Sequence, residues 1–358
     1  MARLRVSIVG AGKLGTALAA LLAGQDEFSV EVVDPSEDAL DRFARRELPA
    51  RARLLRHREA LPGILAEADV TVAAVPEAAL EEVAAAAVAA RTHFLDFSPV
   101  RTRVGSSLSA LAQNRAVFCG SGVSPGIIDN IAGGLLREFS PVADLTIRVG
   151  SIPRFPTNRL GYGQIWNVDG LIDEYTRPCA AIRDGKLVTL EPLEGYERIT
   201  IDGVGYECFT TAGGLEDLEA LTMAAPRNVT FKTLRYPGHL EYMRFLLDDL
   251  GLRGRRDMLR SLLLNGLPVI HDDVLLLVLT ARGDRNGQMV ERTISHRFVP
   301  NPEIAPFNAL TTVAAGYAAT SLLLLARGEI AGEGLVAHHQ MDTNRLLSER
   351  FLRPLRCD

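Results

Sequence analysis

Short apolar runs separated by amphipathic stretches fill the first third of the chain. LRVSIVG (4–10), VEVVD (30–34), VTVAAVP (70–76), HFLDFS (93–98) and AVFCGSG (116–122) read as strands, with ARLLRH (52–57) as a further one. Between them GKLGTALAALLAG, SEDALDRFARR, EAALEEVAAAAVAA and the stretch 106–113 carry helical spacing, and Ser36 stands where an N-cap belongs. Nearly continuous apolar strands alternating with helices predict an α/β fold: a doubly wound Rossmann-type parallel sheet covered on both faces.

After Gly122 the pattern changes. DLTIRVGSIPR (144–154) reads as a strand. CAAIRDGKLVTL (179–190) and ERITIDGVGYECF (197–209) read as hairpins turning at Asp184-Gly185 and Asp202-Gly203, and residues 275–298 as a third turning at GDRNG. A helix is expected over HLEYMRFLLDDLG (239–251). This is the signature of an α+β substrate and dimerisation domain with a largely antiparallel sheet. The expected organisation is residues 1–122, residues 123–305, and a helical segment 306–358 that returns to the first domain. The stretch ALTTVAAGYAATSLLLLA (309–326) approaches bilayer-spanning length. Its Ala, Gly and Thr content, in a chain with one such segment, favours a helix buried in protein.

Composition narrows the function classes. A formal net charge of −5 and the lack of a long basic run give no support for nucleic-acid binding. Four scattered cysteines (Cys119, Cys179, Cys208, Cys357) form no CxxC pair, so neither a zinc site nor a disulfide framework is expected. That fits a reducing cytoplasm, as does an N-terminus without a signal-peptide pattern. No metal site is expected; His271, Asp272 and Asp273 read as solvated turn residues, and His338-His339 as outward-facing. Trp166 reads as core or interface.

The first chemistry-bearing motif is Gly10-Ala11-Gly12-Lys13-Leu14-Gly15, which follows a strand and opens a helix. Gly10 permits the tight turn, Gly12 lets backbone N–H groups approach a pyrophosphate, and Gly15 lets helix and strand pack closely. Asp34, closing the second strand, suits ribose hydroxyls and repels a 2′-phosphate, so NAD rather than NADP is predicted. Ligands in such sheets sit beyond the carboxyl ends of the strands. Val75, Pro76, Asp96, Ser98 and the loop 120–126 are therefore expected around the cofactor, that loop also serving as a crossing between domains. Asp96 is a candidate for the substrate ammonium or a cap of its own turn.

The second motif is FKTLRYPGHL (231–240), where Lys232, Arg235 and His239 flank a Pro-Gly turn. Arg235 suits a substrate carboxylate through its planar fork, against a role satisfying loop carbonyls. His239 is an acid–base candidate or a solvent-facing histidine at a helix start, and Lys232 a base if desolvated or a surface lysine. Tyr206 and Glu207 alternate on a strand, so one of the two is expected to face the cleft.

GSGVSPGIIDN (120–130), YECFTTAGG (206–214), FKTLRYPGH (231–239) and the TTVAAGYAA helix (311–319), behind the glycine loop, resemble the saccharopine dehydrogenase superfamily. Lysine 6-dehydrogenases are the nearest in kind, with saccharopine reductases and carboxynorspermidine dehydrogenases more distant. The resemblance covers most of the chain. It implies a Rossmann domain, a substrate domain carrying a homodimer interface, and redox chemistry at a carbon–nitrogen bond of an amino acid. It adds Thr233 to the substrate contacts. Longer saccharopine reductases carry an arginine in the segment that here reads YECFTTAGG, with Thr210 and Thr211 in its place. That points to a smaller substrate with one carboxylate, such as lysine, with Thr211 among its contacts. The leading reading is NAD-dependent oxidative deamination of the lysine ε-amine. An imine reductase of the saccharopine or carboxynorspermidine type and a non-catalytic NAD-binding sensor are the alternatives.

Overall fold

The computed structural model describes residues 3–98, 105–214, 221, 225–302 and 307–357. The strands of its first part are β1 (Leu4–Val9), β2 (Phe28–Asp34), β3 (Arg51–Leu54), β4 (Val70–Ala73), β5 (His93–Asp96) and β6 (Ala116–Phe118). Next come β7 (Val142–Pro153), β8 (Cys179–Arg183), β9 (Lys186–Leu190), β10 (Glu197–Ile201), β11 (Val204–Thr210) and β12 (Asn228–Arg235). β13 (Asp273–Arg285), β14 (Gln288–Phe298), β15 (Gly334–Leu335) and β16 (Arg356–Cys357) complete the set. The helices that matter below are α1 (Lys13–Leu22), α2 (Glu37–Ala44), α3 (Glu77–Ala90), α4 (Val168–Thr176), α5 (His239–Arg244) and α6 (Ala309–Ala326).

The chain divides into two compact units: residues 1–127, 302–307 and 311–354 in one, and 128–301, 308–310 and 355–358 in the other. In the first, the strands run in the order β15-β6-β5-β4-β1-β2-β3, every pair parallel. Strand order reverses between β1 and β4, the switch point at which such sheets take ligands. Alternation along the strands feeds two cores. Val6, Ile8, Val30, Val32 and Val72 pack with α1 and with Ala315, Ala318, Ala319, Leu322 and Leu323 of α6. Val9, Val33, Ala73, Phe94 and Val117 pack on the other face with Leu80, Val83, Ala84 and Ala87 of α3. The latter four have i, i+3, i+4, i+7 spacing, the apolar stripe of a surface helix. Ser36 caps α2 by accepting a hydrogen bond from the Ala39 N–H at 3.3 Å.

The apolar stretch 309–326 is a buried helix of protein interior, 83% of it covered. Two of its polar side chains are satisfied within the helix. Thr320 donates to the Gly316 carbonyl and Ser321 to the Tyr317 carbonyl.

In the second unit the sheet runs β10-β11-β12-β7-β13-β14-β16, with β8 beside β12 and β9 beside β8. Among the described residues only the β12–β7 pairing of this sheet is parallel; the others are antiparallel. Asp184 and Gly185 have φ of 48° and 74°, and Asp202 and Gly203 of 49° and 78°, the left-handed pairs of two-residue hairpin turns. The long hairpin turns at Asn286 and Gly287, so β13 extends through most of the GDRNG stretch taken as its turn.

Candidate functional site

The glycine loop of the first unit is built on two close approaches and one open position. Gly10 has φ of +113°, and a Cβ there would run into the Ala74 carbonyl at the end of β4. A Cβ at Gly15 would occupy the position of the Gly10 carbonyl. Gly12, the N-cap of α1, has nothing within 4 Å of where a Cβ would lie. The protein's own packing therefore does not demand glycine there, and an open helix N-terminus suits a phosphate. Lys13 is exposed and Leu14 half-buried beside it. Asp34 is held at both oxygens: Oδ2 accepts from the Ala11 N–H and Oδ1 from the Ser36 N–H, each at 2.7 Å. The carboxylate thus ties the glycine loop to the end of β2. These residues fit a dinucleotide: the Gly10–Gly15 backbone for the pyrophosphate, Asp34 for the ribose. Such a cofactor supplies the hydride chemistry, and the protein supplies its position.

Val75 and Ser98 are half-buried and Pro76 exposed at the same carboxyl ends. Asp96 is fully buried at the end of β5. Its Oδ1 accepts from the Gly120 N–H at 2.7 Å, so it caps the loop after β6, while Oδ2 has no hydrogen-bond partner among the described residues. Burial pushes this carboxyl up to about 7, against the backbone hydrogen bonds from Gly120 and Ser98 that lower it.

In the second unit the FKTLRYPGHL residues do not form one cationic cluster. Side chains two apart share a face of a strand, so Lys232 and Arg235, three apart on β12, leave on opposite faces. Lys232 points into a cavity of about 270 Å³ with Thr146, Thr210, Thr230, Glu194 and Arg183. Its Nζ lies 3.1 Å from Glu197, which also pairs with Arg148 at 2.5 Å. Lys232 is thus a charge-paired residue of the sheet, largely buried rather than a surface lysine.

Arg235 goes the other way, 3% exposed, over the Tyr162 ring at 4.8 Å. Nε donates to the Tyr175 hydroxyl at 2.9 Å, Nη1 to the Leu234 carbonyl at 3.0 Å and Nη2 to Glu174 at 3.1 Å. Three of its donors are thus engaged by protein groups. Thr233 is buried too, its hydroxyl 3.4 Å from the Val149 carbonyl.

His239 is 1% exposed, not a solvent-facing residue. Nδ1 lies 2.8 Å from the Leu160 carbonyl and Nε2 2.9 Å from the Tyr175 hydroxyl. A carbonyl only accepts, so Nδ1 carries the hydrogen and Nε2 accepts from Tyr175. Burial, then the neighbouring Arg235 charge, hold the imidazole down to about 3. Both nitrogens are engaged by protein groups and the ring is neutral.

Thr211 is 2% exposed, and its hydroxyl has no partner among the described residues. Tyr206 and Glu207 are both buried. Glu207 caps α5, accepting from the Gly238 and Leu240 N–H groups at 3.0 and 2.7 Å. Trp166 is 37% exposed and donates to the Tyr162 hydroxyl. Two other expectations are corrected. Asp273 is fully buried and accepts from Ala309 and Leu310 N–H at the start of α6. His338 is buried between the Tyr317 hydroxyl and the Cys119 carbonyl. No metal-holding cluster occurs among the described residues.

Glu174 and Tyr175 were missed by pattern alone. On α4, Val168, Leu171, Ile172 and Tyr175 form the buried stripe, so a tyrosine there needs a polar partner inside. That was the available signal.

Two family models match the chain: the saccharopine dehydrogenase NADP binding domain over residues 6–117 and the saccharopine dehydrogenase C-terminal domain over residues 122–357. The chain belongs to the saccharopine dehydrogenase family. Apo saccharopine dehydrogenase (L-Glu forming) from Saccharomyces cerevisiae superposes with a TM-score of 0.79 at 16% identity, covering 96% of each chain. An engineered D-amino acid dehydrogenase bound to NADP+ gives 0.50 at 11% identity, covering 98% of this chain and 97% of that one. At these identities the likeness is one of fold. Family membership makes the chain an oxidoreductase with a nicotinamide-dinucleotide-binding domain, and the α/β architecture read from the sequence holds.

Proposed function

We propose that the protein is an NAD-dependent dehydrogenase acting at a carbon–nitrogen bond of an amino acid, with the ε-amine of L-lysine as its substrate. The observation that carries the cofactor half is Asp34. Its carboxylate is fixed by two backbone N–H groups at the end of β2, where a 2′-phosphate would meet a charge that cannot swing away. The substrate half rests on the family and on threonines at 210 and 211 where a longer reductase has an arginine, which argues for a substrate with one carboxylate rather than two.

The lysine ε-amine, with a reference pKa near ~10.4, must lose a proton before hydride leaves its carbon. The resulting imine takes up water and releases ammonia. Asp96 is the acceptor we favour, because its unpartnered oxygen and a pKa raised to about 7 suit proton transfer near neutrality. The protein acts in the cytoplasm as a homodimer in this reading. Mixing it with NAD and a panel of ω-amino acids and following NADH absorbance tests the proposal. No turnover of lysine or any ω-amino acid would sink it.

The NADP description of the matched domain favours a second reading, reduction of an imine formed from an amine and an oxo acid. NADPH oxidation with paired amine and 2-oxo-acid substrates, absent with NADH, would select it.

A further inference from the structure

The buried network around Arg235 ends in a carboxyl group, that of Glu174. Arg235 itself is 3% exposed at the side chain, whereas Glu174 is 24% exposed. One Glu174 oxygen, Oε2, takes the Arg235 fork. The other accepts no hydrogen bond among the described residues. Backbone places Glu174 firmly: its carbonyl accepts from the Ala212 N–H at 3.0 Å. Thr211, next to Ala212, is 2% exposed and carries an unpartnered hydroxyl. A buried hydroxyl without a partner is costly, and it recovers that cost on meeting a donor or acceptor from outside.

We infer that Glu174 is the ammonium-binding residue of the second unit, its free carboxylate oxygen taking the cationic nitrogen of an amine ligand, with the Thr211 hydroxyl as a second contact. Burial raises the Glu174 carboxyl to about 7 while the Arg235 charge favours its ionised form, so the group this network offers to a cation is a carboxylate held in place by Arg235. A carboxylate ligand arriving there would meet Glu174 first and be repelled; an ammonium would be attracted. Arg235, anchored by Tyr175 and the Leu234 carbonyl, keeps Glu174 in place and is a positioning residue. The inference rests on the amine-substrate reading above.

The test uses the full-length protein saturated with NAD and isothermal calorimetry. Wild type should bind n-pentylamine at least about tenfold more tightly than the isosteric n-pentanol or hexanoate, the scale of one charge-assisted hydrogen bond. Glu174→Gln should weaken n-pentylamine by roughly 10- to 100-fold with NAD affinity unchanged, and Thr211→Val by a few-fold. If Glu174→Gln fails to fold because Arg235 loses its counter-charge, the wild-type ligand comparison and Thr211→Val still decide. Equal binding of amine, alcohol and carboxylate, no measurable amine binding, or a folded Glu174→Gln with unchanged amine affinity overturns the inference. Turnover separates it from the functional reading. Loss of amine binding in Glu174→Gln without lysine oxidation by wild type leaves the inference standing and removes that reading. Lysine oxidation by Glu174→Gln at the wild-type KM does the reverse.

Discussion

Acidification should destabilise the second unit through His239, and a glutamine at that position should relieve most of the effect. The ring sits in a chain of fixed donors and acceptors: Arg235 Nε–H to Tyr175, Tyr175 O–H to Nε2, and Nδ1–H to the Leu160 carbonyl. A proton on Nε2 would remove the acceptor that Tyr175 uses and place a second cation near buried Arg235. The folded-state pKa accordingly falls from 6.5 to about 3. The unfolded chain binds the proton in that window and the folded chain does not, so stability is full above pH 6.5 and is lost as pH falls. The loss accumulates at about 1.4 kcal/mol per pH unit and reaches about 2 kcal/mol between pH 7 and pH 5. Trp166, the single tryptophan, lies in the second unit, so its fluorescence in urea follows the right transition. Burial raises the Glu174 and Asp273 carboxyls in the same unit, which acts in the opposite sense, so the quantity to read is the difference between wild type and His239→Gln. Wild type should lose about 2 kcal/mol more than the variant over that pH step. The same loss in both proteins would refute the neutral, doubly bonded histidine.

Three further outcomes follow from the geometry. Gly12→Ala should fold normally and bind NAD at least about tenfold more weakly, whereas Gly15→Ala should also lower Tm, because only the second Cβ strikes the protein itself; calorimetry and thermal melts separate the two. Lys232→Ala should keep kcat within about threefold of wild type, since the lysine is paired with Glu197 in a sheet-face ion pair of modest worth; steady-state kinetics checks this. Asp273→Ala should cost about 2–4 kcal/mol in urea unfolding, since it strips two N–H groups at the start of α6 of their acceptor and orphans Ser151.

Local rules were enough for much of this protein. Alternation of apolar strands and helices specified the parallel sheet, because a strand buried on both faces has little choice of residue. The glycine loop and Asp34 were legible because a strand–turn–helix this tight admits only glycine at Gly10, with its positive φ, and at Gly15, against the Gly10 carbonyl. The hairpin turns at Asp184-Gly185 and Asp202-Gly203 were legible for the same kind of reason. What tertiary structure decided was the company of each polar side chain. Lys232, Arg235 and His239 are neighbours in sequence, yet the pleat of β12 sends Lys232 to Glu197 and Arg235 to Glu174 and Tyr175. His239 became a neutral, buried ring because residues 64 and 79 positions away in the chain supply its partners. Asp273 and His338, read as surface groups, are inside because backbone N–H groups and a tyrosine hydroxyl meet them there. A side chain's charge and reach are written in its residue type; whether that charge is free, paired or extinguished depends on groups that only folding brings within 3 Å or so.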